Sequence, residues 1–459
     1  VRLSWASTHA AAAHHDTWMD PKMTASVRRT LCLALVLPFF ALALVAGTGA
    51  AQATPDHYNP TNGATFNNPF GGNVARSRIN TKLIRTINSV KSGHKIRIAS
   101  WNFRSPAISR ALIRAHQRGV SVRVIMDYGN WNPDIPNAIA RRTHDALSRG
   151  DKHRNPNMTS WLRRCKGSCR GRHGIAHTKF YTFDQVQRTK NVVMYGSANA
   201  TLLAAAIQWN DIYTVTKGRA RYDEFIKVFD QMKRDRPVRQ GYLHYTHGAM
   251  QLGFYPFTGK QTNGDPVLTA LNNVRCTGTT HGAGIHGHTK IRIAQTATYG
   301  ARGLAIAHRL AVMKKRGCNI RLVYAMFGRQ ALKVLRNEAG PGGVPMTHLA
   351  YDADCNGIYD KYLHMKSMTV NGVFGKNTHA RITWNGSANW TPVSLGSDEV
   401  VGRWASGRIT KTYSNWIDFL FTHVPAVWQP HHCDKVASAP ERGTTTRHVD
   451  PYALIRQDL

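Results

Sequence analysis

Acidic residues are scarce in this chain. Only 25 Asp and Glu stand against 61 Lys and Arg in 459 residues, for a formal charge of +36. Charged residues make up just 19% of the whole, so missing acids contribute to the imbalance as much as abundant bases. Such a field disfavours basic partners and implies polyanionic ones: nucleic acid, anionic lipid headgroups or cell-wall phosphates. Long apolar runs are also rare. The one clear run, Leu31 to Ala46, is 16 residues, contains Pro38 and falls short of the ~20 needed to span a bilayer. Cysteine is sparse, at seven. Apolar residues are not lacking: 42% of the chain is hydrophobic, which excludes a disordered basic tail. The length suits two to three domain-sized units.

The short run belongs to a leader. Arg28-Arg29 precede it and Ala51-Gln52-Ala53 follow. A positive start, a short apolar stretch and a small-x-small site make a secretory signal beginning at Met23. The expected mature chain starts at residue 54 and is secreted. Cys32 leaves with the leader. Cys165, Cys169, Cys276, Cys318, Cys355 and Cys433 remain, an even set that suggests three disulfides. Cys165 and Cys169 bracket a Lys-Gly-Ser turn and are the pair expected first. A zinc site would need a second close Cys or His pair of the usual spacing.

The remaining chain repeats itself. Lys95-Ile-Arg-Ile-Ala99 recurs as Lys290-Ile-Arg-Ile-Ala294. Each copy alternates like a strand and precedes a helical pattern stopped by glycine, Gly119 or Gly317. A further strand follows each. Then come His177-Thr-Lys179 and His364-Met-Lys366, and next Gly196-Ser-Ala-Asn199 and Gly386-Ser-Ala-Asn389. Acids follow, Asp211 and Asp398-Glu399. Two amphipathic helices close the copies, with Tyr222, Phe225, Ile226 and Phe229 in one and Tyr413, Trp416, Ile417 and Leu420 in the other. All landmarks recur after roughly 190 residues. The expected fold is α/β: two similar α-β-α sandwich lobes about a pseudo-twofold axis, residues 54–245 and 246–433, with a tail at 434–459. Residues 130–176 read as a long insertion between strands.

Strand alternation puts His177 and Lys179 on one face, and likewise His364 and Lys366. Two imidazoles and two ammonium groups converging in one cleft suit a phosphodiester. Cations, the hydroxyls of Ser197 and Ser387 and the amides of Asn199 and Asn389 can hold non-bridging oxygens. One imidazole can attack phosphorus while the other protonates the leaving alkoxide. An attacking imidazole needs its other nitrogen held by a carboxylate. Asp211 and Glu399 are the candidates, at equivalent places in the two copies.

With these residues the sequence resembles the phospholipase D superfamily, whose signature is His-x-Lys, four residues, Asp, then Gly-Ser-x-Asn. The first copy matches through His177, Lys179, Asp184, Gly196, Ser197 and Asn199. The second has Asn371 at the Asp position. The resemblance implies His177 as nucleophile, His364 as general acid, a covalent phosphohistidine and no metal or other cofactor. It further implies a single-chain, monomeric enzyme, since both motif copies lie in one chain. The odd offset of Asp184 from His177, and of Asn371 from His364, turns those side chains away from the cleft, into structural roles.

The expected substrate is the headgroup phosphodiester of phospholipids at an anionic membrane surface, with Trp131, Trp161 and Trp390 near the cleft as interfacial residues. The rival reading is a secreted, metal-independent nuclease of the same mechanism, favoured by the charge. Asp352 to Asn356 resembles half of a calcium loop but lacks the twelfth-position acid, where Leu363 stands. His281, His286, His288 and His431-His432 read as loop histidines rather than metal ligands.

Overall fold

The computed structural model describes residues 57–149, 156–353 and 358–424, which lie in one compact unit. The leader, Cys355, Cys433, His431-His432, most of the Asp352–Asn356 loop and the 434–459 tail fall outside them. Among the described residues, no helix is long and apolar enough to cross a membrane.

Two sheets organise the chain. The first contains β1 (Gly63–Phe66), β2 (Lys95–Ser100), β3 (Ser121–Asp127), β4 (Trp161–Cys165), β5 (Lys179–Val186), β6 (Thr189–Gly196) and β7 (Asp211–Val215), in the order β1-β7-β6-β5-β2-β3-β4. The second contains β8 (Leu243–His247), β9 (Met250–Phe254), β10 (Lys290–Thr298), β11 (Asn319–Phe327), β12 (Met346–His348), β13 (Lys366–Phe374), β14 (Asn377–Gly386) and β15 (Val400–Ala405), in the order β8-β9-β15-β14-β13-β10-β11-β12. From β9 onward the second order repeats the first strand for strand. The pairing sense repeats too: β2 is parallel to β3 and antiparallel to β5, as β10 is to β11 and β13. The fold is mixed α/β, as expected.

The repeated Lys-Ile-Arg-Ile-Ala has a physical basis. Its isoleucines fill the core, and its arginine ties two parallel strands together. Arg97 Nη1 donates to Ser121 O and Arg292 Nη1 to Asn319 O, each at 2.9 Å. Each buried guanidinium donates from Nη1 to the carbonyl of its own strand and to that of the next, which offsets part of the cost of burial.

Helices α1 (Asn73–Asn88), α2 (Pro106–Gln117) and α3 (Ala138–Ser148) cover the outer face of the first sheet. In α2, Pro106 opens the helix and Ser105 Oγ accepts from Ile108 N at 3.3 Å. Gly119 and Gly317 follow α2 and α6 with φ of +89° and +86°, conformations that favour glycine. Helices α5 (Pro266–Asn272), α6 (Gly300–Lys315) and α7 (Arg329–Asn337) cover the second sheet in the same way. The central core holds α4 (Arg219–Met232) and α8 (Gly407–Thr422), whose Phe225, Phe229, Tyr413 and Ile417 join side chains from both sheets.

The stretch 130–176 is not a plain insertion. It contains α3 and β4, and β4 extends the first sheet in parallel with β3. The Cys165–Cys169 disulfide is present, and Cys276 pairs with Cys318. The second disulfide ties the segment entering β10 to the start of β11.

Candidate active site

His177 and His364 sit just ahead of β5 and β13, each held by the opposite half of the chain. Leu363 pairs with Trp209, and His364 N donates to Trp209 O at 2.9 Å. Reciprocally, Ala176 bridges to Asp398, whose N donates to Ile175 O at 2.9 Å. The two motifs are therefore fixed relative to each other by backbone, not by side-chain contact alone.

The Gly-Ser turns follow from packing. A Cβ at Gly196 would lie 2.4 Å from Asp211 O, and one at Gly386 would lie 2.0 Å from Val400 O. Only glycine lets each turn close against the next strand. Ser197 then accepts from Asp211 N at 2.9 Å and Ser387 from Val400 N at 3.0 Å.

That register corrects one expectation. Gly196 pairs with Ile212 and Gly386 with Val401. Asp211 is therefore equivalent to Val400, and the true counterpart of Glu399 is Asn210. Glu399 Oε1 lies 2.8 Å from His177 Nδ1, while Oε2 accepts from Ser387 Oγ. At the other histidine, Asn210 Oδ1 lies 2.9 Å from His364 Nδ1 and accepts from Ser197 Oγ at 2.9 Å. Asn210 Nδ2 donates to Ala204 O and Gln208 Oε1, both at 3.1 Å. Its oxygen thus faces the ring, so His364 Nδ1 is the N–H and Nε2 the nitrogen available for proton transfer. Asp211 points the other way. Its Oδ2 accepts from Asn385 Nδ2 at 3.0 Å and Tyr413 OH at 2.8 Å, and burial raises its pKa.

Ser197 and Ser387 are also reassigned. Their hydroxyls are spent on Asn210 and Glu399 and on strand N–H groups, so they position the histidine partners instead of offering hydroxyls to substrate. Asn199 and Asn389 are buried in the turns. Asn199 Oδ1 faces Asn102 N at 3.5 Å.

Both lysines are buried. Lys366 Nζ donates to Thr296 Oγ1 at 2.9 Å and His364 O at 2.6 Å. Lys179 Nζ donates to His177 O and lies 5.7 Å from the Trp101 ring, which packs edge-on against His177 at 5.6 Å. Trp101 was not among the tryptophans expected near the cleft; its place at the end of a repeated strand was the available signal. Trp131 packs on His144, and Trp161 stacks on Phe229. Neither contacts the imidazoles, whereas Trp390 lies in the second turn.

Electrostatics link these groups. Burial, then Lys179 and Lys366, hold the His177 pKa well below its usual value. Burial and the same two lysines do so for His364. Burial brings Lys179 down to about 7 and pushes Glu399 up to about 8. Burial and neighbouring Lys179 also lower Lys366. Burial and mutual repulsion disfavour the cationic forms of both lysines and both histidines, and the charge of a phosphodiester would favour them.

Asp184 and Asn371 lie off the cleft. Asp184 Oδ1 accepts from Lys95 N at 2.7 Å, and Asn371 Oδ1 from Gly284 N at 3.3 Å. His281 packs against His379. Among the described residues there is no cluster of three His, Cys, Asp or Glu suited to a metal ion.

Two buried His-Lys pairs, polarised by partners from opposite halves, define a phosphodiesterase-type centre. Residues 83–233, which hold the first motif set, match the family described as "Cardiolipin synthase, PLD-like domain". No curated protein matches the sequence. Among solved structures, polyphosphate kinase from Porphyromonas gingivalis is 10% identical with a TM-score of 0.48, covering 79% of this chain and 51% of that one. The chain thus spans about half the length of that kinase. A phospholipase D family member, Nuc from Salmonella typhimurium, is 21% identical with a TM-score of 0.29, covering 39% of this chain and 99% of that one. Phosphatidylserine synthase from Haemophilus influenzae Rd KW20 is 13% identical with a TM-score of 0.47, covering 75% of this chain and 84% of that one.

Proposed function

We propose that the protein is a secreted phospholipase D that cleaves the headgroup phosphodiester of phospholipids through a phosphohistidine. The observation that carries this reading is the unequal pairing of the two imidazoles, carboxylate for His177 and amide for His364. A ring that becomes positively charged on bonding phosphorus needs a carboxylate behind it, which assigns attack to His177. With Nδ1 committed to Glu399, Nε2 is the attacking atom. The negative charge of the bound phosphodiester favours a second proton on His364, taken up from solvent at Nε2. As the P–O bond to the headgroup breaks, that proton passes to the departing alkoxide and His364 returns to its neutral, Nδ1-protonated form. Water then returns a proton to His364 and attacks phosphorus. The P–N bond breaks, phosphatidic acid leaves and His177 is regenerated. Lys179 and Lys366 offset charge on the non-bridging oxygens. A primary alcohol replacing water would yield a phosphatidyl-alcohol.

The lipid reading is supported by the family's description as a phospholipid enzyme and by the leader-like start and disulfides, which suit export. The basic surface favours anionic membranes, an attraction that salt should weaken beyond a Debye length of about 10 Å at 0.1 M. The test is incubation of purified protein, without added metal, with phosphatidylcholine vesicles, vesicles containing phosphatidylglycerol, and plasmid DNA. Released headgroup and phosphatidic acid are expected. DNA cleavage with no lipid turnover would replace this reading with the nuclease.

A further inference from the structure

A cavity of about 480 Å³ opens beside Lys366 and the second Gly-Ser turn, on the outer face of the second sheet. Its origin lies in a difference between the two halves. In the first, the segment between β1 and β2 is the 16-residue α1, which buries Ile79, Leu83 and Ile87 over the sheet. In the second, the corresponding segment between β9 and β10 carries the 7-residue α5. The shorter helix covers less of the sheet, and Met368, Trp384 and Trp390 line the space left below it.

The lining has a distinct chemistry. Tyr255 and Phe257 add apolar surface from the segment leading into α5, and Val267 from its first turn. No Asp or Glu lines the cavity, while Lys366, Arg302 and Arg403 do. Arg403 lies over the rings of Phe374 and Trp384, at 5.3 and 5.6 Å. Arg302 is 7% exposed. Its Nε pairs with Asp265 at 2.6 Å, and its Nη1 donates to Asn389 O at 2.9 Å and Thr391 O at 3.2 Å, in the catalytic turn. Its Nη2 is buried without a protein acceptor. A buried orphan donor is costly and marks a place where a ligand acceptor gains affinity.

We infer that this cavity takes one fatty acyl chain of the substrate, with the ester carbonyl accepting from Arg302 Nη2. The inference rests on the phospholipase reading and adds where the lipid tail lies. Cations without acids disfavour a quaternary ammonium or ethanolamine headgroup there. Apolar walls with few convergent polar groups suit a chain ending in an acceptor. The volume lies within the roughly 300–1,000 Å³ of small-molecule sites.

The test is calorimetric binding to the full chain of 1-palmitoyl-glycerol-3-phosphate, below its micelle concentration, against glycerol-3-phosphate. The palmitoyl compound should bind at least about tenfold more tightly, the worth of two buried methylenes. Ala270→Phe, which fills the cavity from α5, should remove that preference. So should Thr269→Trp, an exposed position at the same wall that spares the core. Equal affinity for the two compounds, or a preference that survives Thr269→Trp, would overturn the inference. Displacement by a thymidine dinucleotide with no palmitoyl binding would overturn it in favour of a base pocket. The outcome is separable from the functional reading. Chain binding lost in both variants without phospholipid turnover would leave the site standing and the activity wrong; turnover with no chain preference would do the reverse.

Discussion

Glu399, from the second half of the chain, holds His177 of the first through Oε1 and Nδ1 at 2.8 Å, and both are buried. The reciprocal contact is made by an amide, Asn210, on His364. Glu399→Gln keeps a hydrogen-bond acceptor but cannot ionise, as the carboxyl can once the phosphorylated ring becomes positive. It should lower kcat on the order of a hundredfold. Asn210→Asp places a carboxylate beside His364, which should raise that imidazole's pKa and move the kcat–pH profile to higher pH. Steady-state kinetics from pH 5 to 9 on both variants check this, and a silent Glu399→Gln would contradict it.

Asp211 should behave differently. Its partners are Asn385 and Tyr413, and it lies opposite the strand face that carries Asn210. Asp211→Asn should change kcat less than about threefold while lowering the melting temperature by several degrees, as expected when one buried hydrogen-bond network is disturbed. Parallel kinetics and thermal melts distinguish the two effects.

Asn371 stands where the superfamily signature has Asp, yet its oxygen accepts a backbone N–H away from the cleft. Asn371→Asp should alter activity less than about tenfold, whereas His364→Ala and Lys366→Ala should each cost about a hundredfold or more. A large gain from Asn371→Asp alone would place residue 371 in the chemistry.

Burial brings Lys179 down to about 7, so the free enzyme loses that positive charge as pH rises through neutrality. Burial and the two lysines hold both histidines well below the usual imidazole value. Since kcat/KM reports free-enzyme ionisations, it should be highest in mildly acidic solution and fall above about pH 7. Lys179→Arg, always charged, should lower the rate but shift that alkaline limb upward by more than a unit. A limb unmoved by the substitution would assign it to another group.

Asp398 connects the Cys165–Cys169 loop to the site, accepting from Ser168 Oγ at 3.0 Å and from Cys169 N. Burial pushes its carboxyl up to about 7. A raised folded pKa means that the folded state binds more protons than the unfolded chain. The associated stability is complete below the unfolded value near 3.8 and is lost as pH rises through about 7. Thermal melts should therefore fall between pH 4 and 8, and Asp398→Asn should flatten that fall.

The fold was legible because its signals are periodic and duplicated. Identical Lys-Ile-Arg-Ile-Ala strands, glycine stops after α2 and α6, and paired His-x-Lys and Gly-Ser-Ala-Asn segments all appear where the sequence implied. Asn210 was missed because acid was matched to acid, and Asp211 adjoins it. A one-residue slip reverses a strand's face, and only the pairing of Gly196 with Ile212 and Gly386 with Val401 fixes the equivalence. The short turns differ between copies, Leu203–Ala206 in one and Pro392–Gly396 in the other, so counting from the serines could not decide. Helix α3 was hidden by the polar composition around it, although Ala140, Thr143 and Leu147 lie on one buried face. Which half supplies each histidine's partner is a tertiary property with no local signal.

The central claim is that His177 carries the phosphoryl group. The most direct measurement is rapid quenching and peptide mass spectrometry of His364→Ala with a p-nitrophenyl phosphodiester, whose leaving group needs no proton. Attack can proceed while activation of water is lost, so a phosphorylated intermediate should accumulate on His177. An adduct on another residue, or turnover with none at His177, would contradict the account.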